Sequence, residues 1–377
     1  MNSEDNVICL PKIPIASMLP FGAMLRPLLN DSCLSDADLN NILKSRGVFV
    51  GDSDKKNTIP LMVTIVLSPR EFEQLQEKQA TREDNPKQRN SVIKSKSNST
   101  LTSIISDFTI DSNEFEKMNP GVNISSSMAF SYVSGNHVQL EYTIIRDDLT
   151  RDWVKPQSTY PAKIVIKKNI ETNEIAICNE YTSKETDEIN KRLIKNVVAF
   201  LKNKAEVEDD LKTICANDFT NRERFKFMLR LAQDSEDGTL EFSEIRDVEI
   251  GPDPDNPPKN HDSIIQENVK KIIINGNGLE RNSILTDDNN KDNLLLRSIE
   301  AKYKFNCNGI QGYCIMQYGF MHFFRNQNTS QEFQVALSYL HSKTGNKVSL
   351  NNFVLNKFDS LKKKQYENLN ENNGGQA

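Results

Sequence analysis

The sequence predicts an α+β protein: a small N-terminal helical module followed by a mixed domain of antiparallel hairpins packed with helices. Three observations carry this. Capped helical segments joined by a short turn rich in Gly, Asp and Lys occupy residues 34–76. Period-two runs separated by Gly/Asn turns recur between 122 and 179 and again between 294 and 320. Between these sets lies the longest amphipathic helical pattern in the chain, over 184–204.

The first helix is predicted over 36–46. Ser35 is its N-cap and Asp38 completes an Asp variant of the capping box. Leu39, Ile42 and Leu43 share one face, Lys44 and Arg46 complement the dipole of the last turn, and Gly47 is placed for the left-handed C′ position. Val48, Phe49 and Val50 are extended, and Gly51, Asp52 and Ser53 turn the chain. Asp54, Lys55 and Lys56 open a second helix carrying Ile59, Leu61, Met62, Ile65 and Val66. Pro60 falls inside it, where proline removes a backbone bond and crowds the preceding turn unless the helix starts nearer Thr58. Ser68 and Glu71 form a fresh capping box, with Pro69 at N1, for a third helix through Phe72 and Leu75.

The leucine spacing that ends in Lys44, Arg46 and Gly47, the short spacer, and Lys55-Lys56 before an Ile/Leu run resemble the SAP motif, a helix, extended loop and helix that binds DNA. The resemblance covers about a tenth of the chain. It implies that Lys44, Arg46, Lys55 and Lys56 meet phosphates. The chain as a whole is similar to accessory subunits of bacterial anti-phage defence systems that carry such a segment near their start, and that likeness implies a nucleic-acid ligand, DNA first, and a separate effector protein.

Residues 77–120 read as a linker and connecting segment. Its first part, 78–100, is polar and lacks periodic apolar positions. The α+β domain is predicted over 121–360. Val122 to Tyr132 is extended, and Ser134-Gly135-Asn136 turns into a strand through Val138, Leu140, Tyr142 and Ile144. A hairpin over 163–179 turns at Glu171-Thr172-Asn173. The helix over 184–204 places Ile189, Leu193, Val197 and Leu201 on one stripe, with acids in its first turn and Lys202 and Lys204 in its last. A further helix is predicted over 222–232, a Pro/Asp loop over 247–260 and a helix over 264–274. Residues 294–305 and 311–320 form a strand pair, a last helix spans 330–341, and 361–377 is a polar tail.

At 377 residues with a net charge of −5, no whole-molecule field draws the chain to a polyanion. Locally, 11 Lys/Arg face nine Asp/Glu between Ser35 and Thr100, so the N-terminal part is the more basic. Six cysteines without a C-x-x-C pair read as free thiols of a reducing cytosol. The polar start and the absence of a long apolar run argue for a cytoplasmic protein without a signal peptide or membrane span.

Four constellations bear on chemistry. Residues 233–244 copy the second half of a calcium loop, with Gly238 at the sharp turn and Glu244 at the bidentate position; Gln233 and Ser235 stand where carboxylates should bind, so a turn is the preferred reading. Glu300-Ala301-Lys302, with Asp287 and Asp288 upstream, has the form of a restriction-type nuclease core, and equally of a solvated strand face continued by Lys304. His137, His261, His322 and His341 lie far apart, without metal-ligand spacing. Trp153 and Tyr160, near Arg151 and Lys155, read as packing anchors rather than base-stacking groups. With no P-loop, G-x-G-x-x-G or G-x-S-x-G, no cofactor is expected and no catalytic residue is assigned. The favoured reading is a non-catalytic nucleic-acid-binding subunit; the alternatives are a metal-dependent nuclease using Glu300 and Lys302, and an interaction scaffold without nucleic acid.

Overall fold

The computed structural model describes residues 19–30, 34–83, 85–119, 121–147, 157–207, 210–233, 238–257, 271–321 and 331–374. In chain order the elements are helices α1 (Arg26–Asn30), α2 (Asp36–Ser45), α3 (Lys55–Thr64) and α4 (Pro69–Glu83), strand β1 (Lys87–Lys94), and helices α5 (Leu101–Ile105) and α6 (Ser112–Met118). There follow β2 (Val122–Ile124), β3 (Ser131–Ser134), β4 (His137–Asp147), β5 (Gln157–Asn169), β6 (Glu174–Tyr181), α7 (Lys184–Asn203), β7 (Lys212–Thr213) and α8 (Asn221–Gln233). Last come β8 (Leu240–Pro252), β9 (Ile272–Asn275), α9 (Ser283–Thr286), β10 (Leu294–Cys307), β11 (Ile310–Gly319), β12 (Gln334–Ser342) and α10 (Lys347–Gly374). The class is the expected one: a small helical region, then a large antiparallel sheet domain with helices.

The chain divides into two compact units. The first holds the N-terminal helices with Asp111–Ser127 and Tyr142–Pro161. Its core is made by Leu25, Leu28 and Leu29, by Leu39 and Leu43 of α2, by Ile59 and Met62 of α3, and by Phe72 and Leu75 of α4. Also in this unit, β2 pairs antiparallel with the far end of β4, and the Ile124 amide donates to Glu116 of α6.

The second unit holds Asn85–Ile110, Met128–Glu141 and the chain from Ala162. Its strands run in the order β4-β5-β6-β1-β12-β11-β10-β8-β9, with β3 paired to β4 and β7 to β1. The hairpins read from sequence are present. Asn173, at φ 52°, closes β5–β6, and the two-residue turn Asn308-Gly309, with φ 50° and 87°, closes β10–β11. Positive φ at both central residues matches the right-handed twist of the flanking strands, which is why Asn-Gly is favoured there. Helix α7 packs on β6 through buried Ile189, Leu193, Val197 and Leu201. Helices α8 and α10 pack with β8 and β10 around Phe225, Met228, Tyr303, Tyr318, Val354 and Phe358.

Five expectations are corrected. The segment read as a linker from residue 77 contains the end of α4 and then β1, which joins β6 on one side and β12 on the other. Its polar residues are paired rather than solvated: Gln88 donates to Cys178, Asn90 to Asp359 and Arg89 to Asp187. Residues 334–342 are strand, not helix, because Gln334 to Leu337 are buried on both faces and show no alternation. Residues 247–252 continue β8, and 272–275 are β9 where a helix was expected; 261–270 lie outside the described residues. The expected tail from 361 is the second half of α10, whose Leu350, Val354, Phe358, Leu361 and Leu369 form a stripe. Beyond Gln233, Leu240 to Glu244 enter β8, so the half-match to a calcium loop leads into a strand.

Candidate nucleic-acid interface

Helix α2 begins with the predicted box: the Asp38 amide donates to Ser35 Oγ at 3.2 Å, and the Ser35 amide donates to Asp38 Oδ2 at 2.8 Å. It ends in a Schellman turn. The Gly47 amide donates to the Lys44 carbonyl and the Val48 amide to the Leu43 carbonyl, each at 2.9 Å, with Gly47 at φ 74°. The extended stretch after it leads to α3, which starts at Lys55 and keeps Pro60 within it. Ile59 and Met62 are buried, while Leu61 and Val66, read as part of the apolar face, are exposed: Leu61 lies within α3 but off the face shared by Ile59 and Met62, and Val66 lies beyond the end of the helix at Thr64. Helix α4 opens on the second predicted box, with the Ser68 amide donating to Glu71 Oε2 at 2.7 Å and the Glu71 amide to Ser68 Oγ at 3.3 Å.

The four cations expected to meet phosphate sit at the end of α2 and the start of α3, two helices in contact. Their environments differ. Lys44 is exposed in the last turn of α2. Arg46 reaches Glu71 in a two-pronged pair, Nε to Oε1 at 2.7 Å and Nη2 to Oε2. Lys55 is half-buried in the first turn of α3. Lys56 lies 3.3 Å from Asp54 and 3.7 Å from Asp52, all three side chains well exposed. Exposed pairs of the Lys56 kind are worth at most about 1 kcal/mol, so they yield readily to a phosphate. The bidentate Arg46 pair is of the stronger sort and ties the end of α2 to the start of α4. Sequence reasoning placed Glu71 in its capping box and missed this second role, since nothing local signals a contact 25 residues away.

The Arg46 hydrogen bond, joined by those from Ser68, lowers the Glu71 carboxyl to about 2. A carboxyl held below its ordinary value contributes stability that is complete above about 4.5 and is lost as the pH falls toward 2. Glu71→Gln keeps the capping geometry and removes the charge. It is expected to lower stability by about 1 kcal/mol at pH 7. In thermal melts of the two proteins from pH 7 to pH 2, that difference shrinks below about pH 4.5; a constant difference across the range is the contrary result.

In the second unit, the acid that strand pairing sets opposite Glu300 is Asp247 of β8, not Asp287 or Asp288. Burial, then the neighbouring charges of Glu300 and Glu249, push Asp247 up to about 6. Burial likewise raises Glu300. Lys302 Nζ lies 3.7 Å from Glu244 and 4.9 Å from the centre of the Tyr313 ring. Asp288 is held by Lys291 at 2.6 Å. Among the described residues, no group of three or more His, Cys, Asp or Glu is placed to hold a metal ion. Tyr160 is buried in β5, with its hydroxyl 2.8 Å from Arg146, whereas Trp153, Arg151, Lys155, His261 and His322 lie outside the described residues. Cys178, Cys215, Cys307 and Cys314 carry free thiols; Cys9 and Cys33 are outside the described residues.

Residues 23–85 match the model of the GAPS4b protein N-terminal domain, a family whose name ties it to an anti-phage defence system. The match covers α1 to α4. No curated protein and no solved structure matches the chain. Among the described residues, no helix is long and apolar enough to cross a membrane.

Proposed function

We propose that this chain is a non-catalytic nucleic-acid-binding subunit of a bacterial anti-phage defence complex in the cytoplasm, acting beside a separate catalytic effector. The observation that carries the reading is the N-terminal helical module, in which residues 23–85 match a defence-associated family and the end of α2 and start of α3 gather Lys44, Lys55 and Lys56. Lys55 and Lys56 stand in the first turn of α3, whose N-cap residue Asp54 makes no side-chain capping hydrogen bond. Arg46 braces the module through Glu71 while the three lysines approach the backbone of a duplex. Contact of this type is weak, independent of sequence and steep in salt.

The test is binding of labelled duplex DNA by the full chain at low ionic strength. The combined Lys44→Glu, Lys55→Glu and Lys56→Glu variant, with Arg46 kept, is expected to bind at least tenfold more weakly. Its plot of log K against log salt should flatten by about one unit for each phosphate that a lysine no longer neutralises. Unchanged affinity and slope would remove the N-terminal module from DNA binding. Metal-dependent cleavage of the DNA by the purified chain would instead select the nuclease reading, with Glu300 and Lys302 as the residues to alter.

A further inference from the structure

We propose a second site that the N-terminal match does not touch: the outer face of β10–β11–β12 is a base-stacking platform for single-stranded nucleic acid. Cross-strand registration builds it as two rows. Lys304, Tyr313 and His341 are direct partners across the three strands, and Lys302, Ile315 and Tyr339 form the adjacent row. Direct partners in antiparallel strands project to the same side of the sheet. The opposite side of these strands is core, lined by Tyr303, Cys314, Met316 and Leu337.

The platform is open and organised. Tyr339 is 47% exposed, and His341 and Lys304 are exposed as well. The Tyr313 ring centre lies 5.2 Å from His341 and 5.8 Å from Tyr339, each pair of rings inclined by 34°. Lys302 Nζ stands over the Tyr313 ring.

Charge selects the occupant. The chain as a whole is acidic, yet from Glu300 to Phe358 there are two carboxylates, Glu300 and Glu332, against six Lys/Arg. Exposed Lys343 and Lys347 follow β12. On the same face Glu300 lies two residues before Lys302 on β10, and Glu244 and Glu241 of β8 are the direct partners of Lys302 and Lys304, so each row ends in a carboxylate on the β8 side. Exposed Lys304 in the rows and exposed Lys343 and Lys347 just after β12 suit a chain of flat bases carried on phosphates. The bases must be unpaired, because in a duplex their faces are already stacked on one another. Platforms of this type stack two or three bases and tolerate any sequence, since every base has a π face. The site stands on the sheet alone and does not require the duplex contacts of α2 and α3.

The experiment titrates the full chain into labelled 12-mers of oligo-dT and oligo-rU and, separately, into duplex DNA, at low salt. Both single strands are expected to bind, and whichever binds more tightly identifies DNA or RNA as the source. Tyr313→Ala with Tyr339→Ala should weaken single-strand binding by tenfold or more, and Tyr339→Ala alone by about fivefold or more. Tyr339→Phe should retain binding, because the ring stays. The lysine variant of α2 and α3 should bind single strands as the unaltered chain does, even if duplex binding proves absent. The proposal is overturned if neither single strand binds, if both alanine variants bind like the unaltered chain with melting temperatures preserved, or if Tyr339→Phe loses binding as fully as Tyr339→Ala. Loss of duplex binding alone counts against the α2–α3 contacts and leaves the platform standing.

Discussion

Leu193→Ala is expected to lower the stability of the second unit by about 2–5 kcal/mol, the usual cost of emptying a buried leucine site. The residue is 1% exposed at the middle of α7, on the stripe that faces β6, where Ile175 and Ile177 are themselves buried. An ordinary domain has only about 5–15 kcal/mol to lose, so the melting temperature should fall sharply and soluble yield with it. Lys195 lies two residues along on the exposed side of the same helix, and Lys195→Ala should stay within about 0.5 kcal/mol. Equal tolerance of the two substitutions in thermal melts would mean that α7 does not bury this stripe in the isolated protein.

Asp187→Ala should cost a comparable about 3–5 kcal/mol by a different route. Arg89 Nη1 donates to both carboxylate oxygens of Asp187, at 2.7 and 3.0 Å, and both side chains are only 13% exposed. Arg89 Nη2 also donates to Gln334 on β12, and its guanidinium lies 5.0 Å from the centre of the Tyr181 ring. The pair therefore ties β1 to α7, and Arg89 also reaches β12 through Gln334. Removing the carboxylate takes the close partner from a largely buried cation, leaving it only the more distant Glu332 at 3.8 Å, and also unpairs Lys191, 3.0 Å from Asp187, which is what makes the single change expensive. Replacing both partners together, Arg89→Met with Asp187→Leu, leaves unpaired only Glu332 and Lys191, both well exposed to water, and should cost far less. Urea melts of the single and double variants decide this, and a double variant as unstable as the single one would refute the account.

The same ion pair explains where the sequence misled. Helices α2, α4 and α7 were legible because their caps and stripes are local: Ser35 with Asp38, Ser68 with Glu71, and Leu193 with Val197 and Leu201. The β5–β6 and β10–β11 hairpins were legible because Asn173 and Asn308-Gly309 sit where the turns need positive φ. Strand β1 was not legible. Gln88, Arg89 and Asn90 look like a solvated linker, and their partners Cys178, Asp187 and Asp359 lie about 90 to 270 residues away in sequence.

Helix α10 was hidden in the same way. Asp359, Lys362 and Gln365 give it a polar composition, but all three are largely buried. Burial alone would raise the Asp359 carboxyl; Lys362 and Lys363 together hold it at about 2. The candidate site was half legible. Lys44, Arg46, Lys55 and Lys56 could be named from their motif, but the commitment of Arg46 to Glu71 depends on how α2 and α4 pack. The tyrosine platform was out of reach of the sequence, because reading 330–341 as a helix separated Tyr339 and His341 from Tyr313, and only strand registration reunites them.

The central claim is that this chain contacts nucleic acid while a partner supplies the chemistry. Ultraviolet cross-linking during phage infection, in cells that express the full chain, tests it most directly. Stringent purification and mass spectrometry of the cross-linked peptides should yield nucleotide-bearing peptides from α2 and α3, from β10 to the start of α10, or from both. The contradicting result is a chain recovered with partner proteins and no attached nucleotide, which would make it an interaction scaffold.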